Sequence, residues 1–260
     1  MLRVLMLAIT GLLTGAGATF AQTESRPPVS QCQAIARNIP GVMFASFNPP
    51  GVQLAQAASR EEVKISFIGH STYLIESPGG VTIATDYNGV YRPPVTPTVV
   101  TMNRAHSTHF TLNPDPAIQH VLHGWSDTPG EKAEHRVLVG DVYIRNVATD
   151  IRNRWGDYES FQENGNSIFI FEIAGLCIGH LGHLHHELTD THYAEIGRLD
   201  VLMVPVDGGL TMGADSMSRV VKRLRSALIL PMHRTGPPLE QFLTMFGESF
   251  QIAYAADPVI

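Results

Sequence analysis

The chain has 260 residues, 44% hydrophobic and 16% charged, which supplies one sizeable core and argues against a disordered chain or a coiled coil. Lys and Arg total 18 against 24 Asp and Glu, and the net charge of −6 argues against a basic groove and a nucleic-acid partner. Twelve histidines, all but His70 beyond residue 100, give the first pointer to metal chemistry.

At the amino terminus, Arg3 precedes an uncharged apolar run from Val4 to Leu13 and small residues ending Ala18-Thr19-Phe20-Ala21. This pattern predicts a secretory signal over residues 1–21, too short for a spanning helix, with cleavage after Ala21 and an exported product bearing a net charge of −7. Residues 22–60, rich in Gln, Ala, Pro and Ser and broken at Pro49-Pro50-Gly51, read as an extension, leaving 61–260 as the domain. Cys32 and Cys177 could pair in an oxidising compartment, or Cys177 could be a buried thiol within its apolar run.

From Val63 onward, short apolar runs bounded by Gly, Pro and Asp predict strands: Val63–Ile68, Thr72–Ile75, Val81–Ala84, Val99–Met102, Val137–Val147, Ser167–Glu172 and Leu176–Ile178. The last third predicts helix, strand, helix, strand and helix. Asp190–Leu199 is helical, Val201–Val206 a strand, and Met217, Val220, Val221 and Leu224 mark a second helix with a solvated Arg-rich face. Ala227–Leu230 is a strand, Leu239, Phe242, Leu243 and Phe246 form a third stripe, and Phe250–Tyr254 reads as a last strand. Strands first and strand-helix units later indicate stacked sheets with helices outside.

Polar residues fall just past these strands. His106 and His109, His183, Asp207 and His233 each follow a different one, so loops on a rigid sheet could deliver them to one cleft. Imidazole and carboxylate donors suit Zn²⁺, with Mn²⁺ and Fe²⁺ as competitors. His120, His123, His135 and His192 read as surface or hydrogen-bonded residues. The cluster His180, His183, His185 and His186 would repel itself if protonated, and a metal or mutual hydrogen bonding would relieve that. No Gly-x-Ser-x-Gly elbow, Walker A loop or Gly-x-Gly-x-x-Gly occurs, and the stretch His186–Asp190 has Asp where a zincin needs its second His.

Taken together, Ile68–Glu76 with its Gly69-His70-Ser71-Thr72, Val81–Asp86, Gly165–Phe169, His180-Leu181-Gly182, Val201–Val206 and Pro231-Met232-His233 resemble the metallo-β-lactamase superfamily. The likeness is to its metal-dependent hydrolase and ascorbate-6-phosphate-lactonase-like branches, and it spans Val63 to Tyr254. It implies an α+β fold, a four-layer αβ/βα sandwich. The family's His-x-His-x-Asp-His lies over Arg104 to His109, with Arg104 at the first His and Thr108 at the Asp; His183 stands for the bridging Asp. Asp150 or Asp141 is the nearest stand-in for the middle histidine motif, and His233 is the terminal His. Arg104 beside two close divalent ions is unfavourable, which points to a single metal on His109, His183 and His233, completed by Asp207 or His106. His70, Asp86 and His180 would support these ligands from behind.

The implied activity is hydrolysis of a small ester, lactone, amide or phosphoester, anionic substrates included, by metal-bound water. Asp207 or His185 would handle the proton, and Arg104 would hold an anionic group or stabilise an oxyanion. The rival reading, favoured by the altered first motif, is a non-catalytic metal- or anion-binding member of the fold, and a metal-free hydrolase using His and Asp is a third. The loops Asn88–Pro97 and Trp125–Glu134 are expected to set specificity.

Overall fold

The structure is a computed structural model and describes residues 29–34, 62–128, 130–152, 161–207, 209–234 and 238–254. The expected leader over 1–21 and the Pro49-Pro50-Gly51 break lie outside them. Among the described residues, no helix is long and apolar enough to cross a membrane.

A five-stranded sheet runs in chain order: β1 (Lys64–Gly69), β2 (Thr72–Glu76), β3 (Thr82–Ala84), β4 (Val99–Met102) and β5 (His120–His123). A six-stranded sheet holds β6 (Arg136–Val139), β7 (Val142–Arg152), β8 (Phe161–Ile173), β9 (Leu176–His180), β10 (Val201–Pro205) and β11 (Leu228–Met232), ordered β11-β10-β9-β8-β7-β6. Ile75, Ile83 and Val99 of the first sheet pack with Ile144, Phe169, Phe171 and Met203 of the second, forming a central apolar layer. The opposite face of the second sheet, including Ile170, Leu202 and Val204, is covered by α2 (Asp190–Ile196), α3 (Ala214–Leu224) and α4 (Pro238–Thr244). Tyr87, Ile118 and Trp125 from connecting segments cover Val100 and Met102 on the outside of the first sheet. This is an α+β sandwich of the expected class.

The helices follow their stripes. Met217, Val220, Val221 and Leu224 are all buried on α3, while Arg219 and Arg223 on its outer side pair with Glu187 and Asp190. Those two acids belong to the zincin-like stretch, which is thus a surface ion-pair region. Helix α2 stops earlier than expected, at Gly197 with φ 75°, where a Cβ would lie 2.6 Å from the carbonyl oxygen of Cys32. There α1 (Gln31–Ala34) is tied down: Arg198 N–H donates to the Cys32 carbonyl at 3.0 Å, and Cys32 and Cys177 form a disulfide. Buried Arg145 of β7 also locks this corner, donating to Glu172 at 2.9 Å and to the carbonyls of Glu195 and Ile196 at 2.8 and 2.6 Å.

Further elements differ from expectation. Val137–Val147 is two strands folded back at Gly140, whose φ of 55° suits a tight turn that Asp141 flanks. Strand β5, with a histidine at each end, is absent from the hydropathy pattern because its residues are half polar. Phe250–Tyr254 is not a strand; its described residues have no sheet partner, and Phe250 packs on Phe246 at 5.4 Å between ring centroids.

What positions the site is strand direction. β3, β4 and β5 are mutually parallel, as are β9, β10 and β11. The segments leaving the carboxyl ends of β3, β4, β9, β10 and β11 carry Asp86, His106 with His109, His183, Asp207 and His233. The turn between β1 and β2 carries His70, and the backbone N–H of His233 donates to the His70 carbonyl at 2.7 Å, joining the two sheets at that edge.

Candidate metal centre

At this edge His70, His106, His109 and His233 each offer one ring nitrogen within 4.8 Å of the others. His183 adjoins them, with ring centroids 4.9 Å from His109, 5.2 Å from His106 and 5.3 Å from His233. Residues up to 163 positions apart in the chain are thus brought together.

Two of the rings are aimed by carboxylates. Nδ1 of His109 lies 2.5 Å from Oδ2 of the fully buried Asp86, whose Oδ1 accepts from Asn103 at 3.0 Å. Nδ1 of His233 lies 2.6 Å from Oδ2 of Asp207, whose carboxylate also accepts from the backbone N–H groups of Gly209 and Thr211 at 2.9 Å. With each Nδ1 turned to a carboxylate, the ring's Nε2 is left for the cluster. His106 is turned similarly, its Nδ1 sitting 2.7 Å from the hydroxyl of Thr108, the residue at the family motif's Asp position.

Electrostatics favour the uncharged form of His70, His109 and His183. Burial, then the neighbouring His233 and His106, pulls His70 down to about 4. Burial, reinforced by the other histidines, holds His109 and His183 well below the ordinary imidazole range. Burial also pushes Asp86 up, against the His180 field and the Asn103 hydrogen bond. Asp207 goes the other way: burial raises its carboxyl, but hydrogen bonds from His233, Gly209 and Thr211 outweigh it and hold it below the usual range.

These neutral donors fit a metal. Nε2 of His70, Nε2 of His109 and both ring nitrogens of His183 are buried with no hydrogen-bond partner among the described residues, and each such orphan costs about 1–3 kcal/mol unless something satisfies it. Nε2 of His106 and Nε2 of His233 are 3.3 Å apart, and the edge of a tetrahedron with Zn–N bonds of about 2.0–2.1 Å is about 3.3–3.4 Å.

Of the residues singled out from sequence, His106, His109, His183 and His233 come together. His70, expected behind the ligands, sits among them. Asp207, expected as a ligand or proton carrier, is engaged behind His233, and Asp86 behind His109. His180 supports the floor: its Nε2 contacts the Ser71 carbonyl at 2.9 Å and its Nδ1 accepts from Gly182 N–H at 3.1 Å. His185 is not brought into the group; its ring stacks on Phe161 at 5.2 Å and lies 6.4 Å from His183. Asp141 accepts from Ser77 and Gly79 in a distant turn, and Asp150 accepts from the Asn164 N–H, so neither joins the cluster. Arg104 lies on the wall of a cleft of about 610 Å³ that His106 also lines. Missed at the sequence level were Asn103, which braces Asp86, and Tyr91, whose ring stacks on His70 at 6.0 Å. Nothing in their spacing marks either one. Ser71 Oγ is 3.1 Å from the same His109 nitrogen that meets Asp86, so no Ser-His-Asp relay runs through that ring.

A family model described as a beta-lactamase superfamily domain matches residues 64–233. A UPF0173 metal-dependent hydrolase of Thermococcus kodakarensis is 24% identical over 212 residues, covering 73% of this chain and 95% of the relative. One from Methanosphaera stadtmanae is 26% identical over 215 residues, covering 73% and 92%. Among solved structures, a Thermotoga maritima protein assigned to the Zn-dependent hydrolases of the metallo-β-lactamase superfamily is 30% identical with a TM-score of 0.52, covering 72% of this chain and 87% of that one. The metallo-β-lactamase fold protein YhfI of Bacillus subtilis shares the fold at 12% identity and a TM-score of 0.52, covering 72% and 92%.

Proposed function

The chain belongs to the beta-lactamase superfamily and has the fold of its metal-dependent hydrolases, and from that premise we propose that it is an exported hydrolase of a small ester, lactone, amide or phosphoester. One divalent cation would be held by His70, His106, His109 and His233, with His183 beside it. The observation that carries this reading is the convergence of four imidazole nitrogens within 4.8 Å, two of the rings backed by buried carboxylates.

An all-nitrogen donor set favours Zn²⁺ or Fe²⁺ over Mg²⁺ or Ca²⁺. The cation, when bound, would acidify water and polarise the scissile group. The chain's own contribution is orientation and proton handling. Asp86 and Asp207 fix the tautomers of His109 and His233 and make them better donors. His183, with both nitrogens buried and unpartnered among the described residues, sits beside the cluster where it can orient a substrate group or water by hydrogen bonding. Arg104 on the cleft wall supplies a fixed positive charge for an anionic group. Export is supported by the leader-like residues 1–21 and by the Cys32–Cys177 disulfide, which persists in an oxidising compartment.

Metal analysis of the purified chain tests the site. About one equivalent of metal, lost in His109→Ala and His233→Ala, is expected; unchanged content in both variants overturns it. Hydrolysis across a panel of lactones, thioesters and phosphodiesters, restored by Zn²⁺ after chelation, tests the chemistry. Thr108, which puts a hydroxyl where the family motif has a carboxylate, favours the second reading: a non-catalytic metal or anion binder. Metal without turnover on the whole panel is its signature.

A further inference from the structure

The cleft beside the imidazoles has walls that the metal chemistry does not use. Arg104 and Arg152 line it from two different segments, together with the apolar side chains of Phe110, Leu112 and Ile151, and among the described residues no Asp or Glu contributes to the lining. In a chain with an excess of acid over base, two guanidiniums lining one cleft give it a local positive potential suited to an anionic occupant. Neither guanidinium has an ion-pair partner among the described residues. Arg152 is steadied by donation from Nη1 to the Gly209 carbonyl at 3.2 Å, while its Nε is buried with no hydrogen-bond partner among the described residues. Arg104 is held through its backbone N–H, which donates to the Gly165 carbonyl at 3.3 Å, two residues before His106. Leu112, at 77% exposure, presents a large apolar side chain to water at the rim.

We propose that this cleft is the subsite for the non-reacting part of the substrate: an anionic group clamped between Arg104 and Arg152, joined to an apolar moiety lying on Phe110 and Leu112. The proposal rests on the hydrolase reading above and narrows its substrate class to amphiphilic anions. Planar guanidiniums suit phosphoryl or carboxylate oxygens, which can accept two parallel N–H bonds from each. The apolar wall then covers a ring or short alkyl chain that a bare anion would lack.

Phenylphosphonate, whose P–C bond such a centre does not hydrolyse, is the probe, titrated calorimetrically into the metal-loaded full chain and into the chelator-stripped chain. Binding is expected in both forms, at least about fivefold tighter than for methylphosphonate, and about tenfold weaker in Arg104→Gln and in Arg152→Gln, with metal content and melting temperature as in the parent chain. Arg152→Lys, which keeps charge but loses the fork, should fall between parent and Arg152→Gln. Affinity within about twofold of the parent in both Gln variants, equal binding of the two phosphonates, or binding confined to the metal-loaded form overturns the subsite and leaves the metal centre standing. Arginine-dependent binding by a chain that takes up no metal supports the subsite and sinks the metal reading instead.

Discussion

Oδ2 of Asp207 lies 2.6 Å from Nδ1 of His233, and both side chains are shut off from solvent. The carboxylate is thereby committed to orienting the ring and raising its basicity. Asp207→Asn keeps the shape but removes the charge and lets the amide present the wrong partner to Nδ1. Metal affinity should fall about 10- to 100-fold with the fold intact, measured by competition with a chromogenic chelator. An unchanged affinity would show that His233 needs no backing.

His70 and His183 make opposite demands on the donor set. If His70 is the fourth donor, His70→Ala lowers metal affinity as severely as His106→Ala, and His183→Ala costs less in affinity than in turnover. The reverse ranking, read from the same chelator competition, restores the set expected from sequence.

Acid should destabilise the metal-free protein. Burial, opposed by the His183 carbonyl contact, brings His185 down to about 4, against about 6.5 in an unfolded chain. As pH falls the unfolded state takes up its proton first, so stability is intact above about 6.5, declines towards about 4 and is level below. This one ring accounts for roughly 3 kcal/mol of that decline. Urea titrations of the stripped protein between pH 7 and pH 4 should show it, and His185→Phe, which preserves stacking on Phe161, should flatten the slope.

The disulfide closes a loop between residues 145 apart. Cys32→Ala or reduction should cost about 2–5 kcal/mol, seen as a lower melting temperature. A melting curve unmoved by reductant would contradict this.

Arg145 is 4% exposed and bridges β7, Glu172 and the end of α2. Arg145→Met leaves Glu172 charged without its cation and two helix carbonyls without donors, a loss of about 3–5 kcal/mol by chemical denaturation. Adding Glu172→Gln should recover part of it, because the uncompensated charge is then gone.

Much of the architecture was legible because apolar runs and helical stripes directly encode burial: Met217, Val220, Val221 and Leu224 are one example, and the β10 run is another. The candidate donors were legible as histidines after strands, since parallel strands deliver their carboxyl ends to one edge. What spacing could not convey was direction. His183 and His185 alternate along the chain as expected, yet only His183 turns to the cluster, because Phe161 captures the other ring. His70 looked like support because it sits in a hairpin turn, and only the pairing of sheet edges brings that turn to His233. The partnerships Asp86–His109 and Arg145–Glu172 join segments whose proximity is purely tertiary.

The hydrogen bond from His233 to the His70 carbonyl has a consequence for biogenesis. Because the opening hairpin and the closing strand each bring part of the donor set, a ribosome-bound chain that has not yet released residue 233 holds an incomplete cage. Completion of the donor set therefore requires that both sheets have docked, since neither half carries it alone.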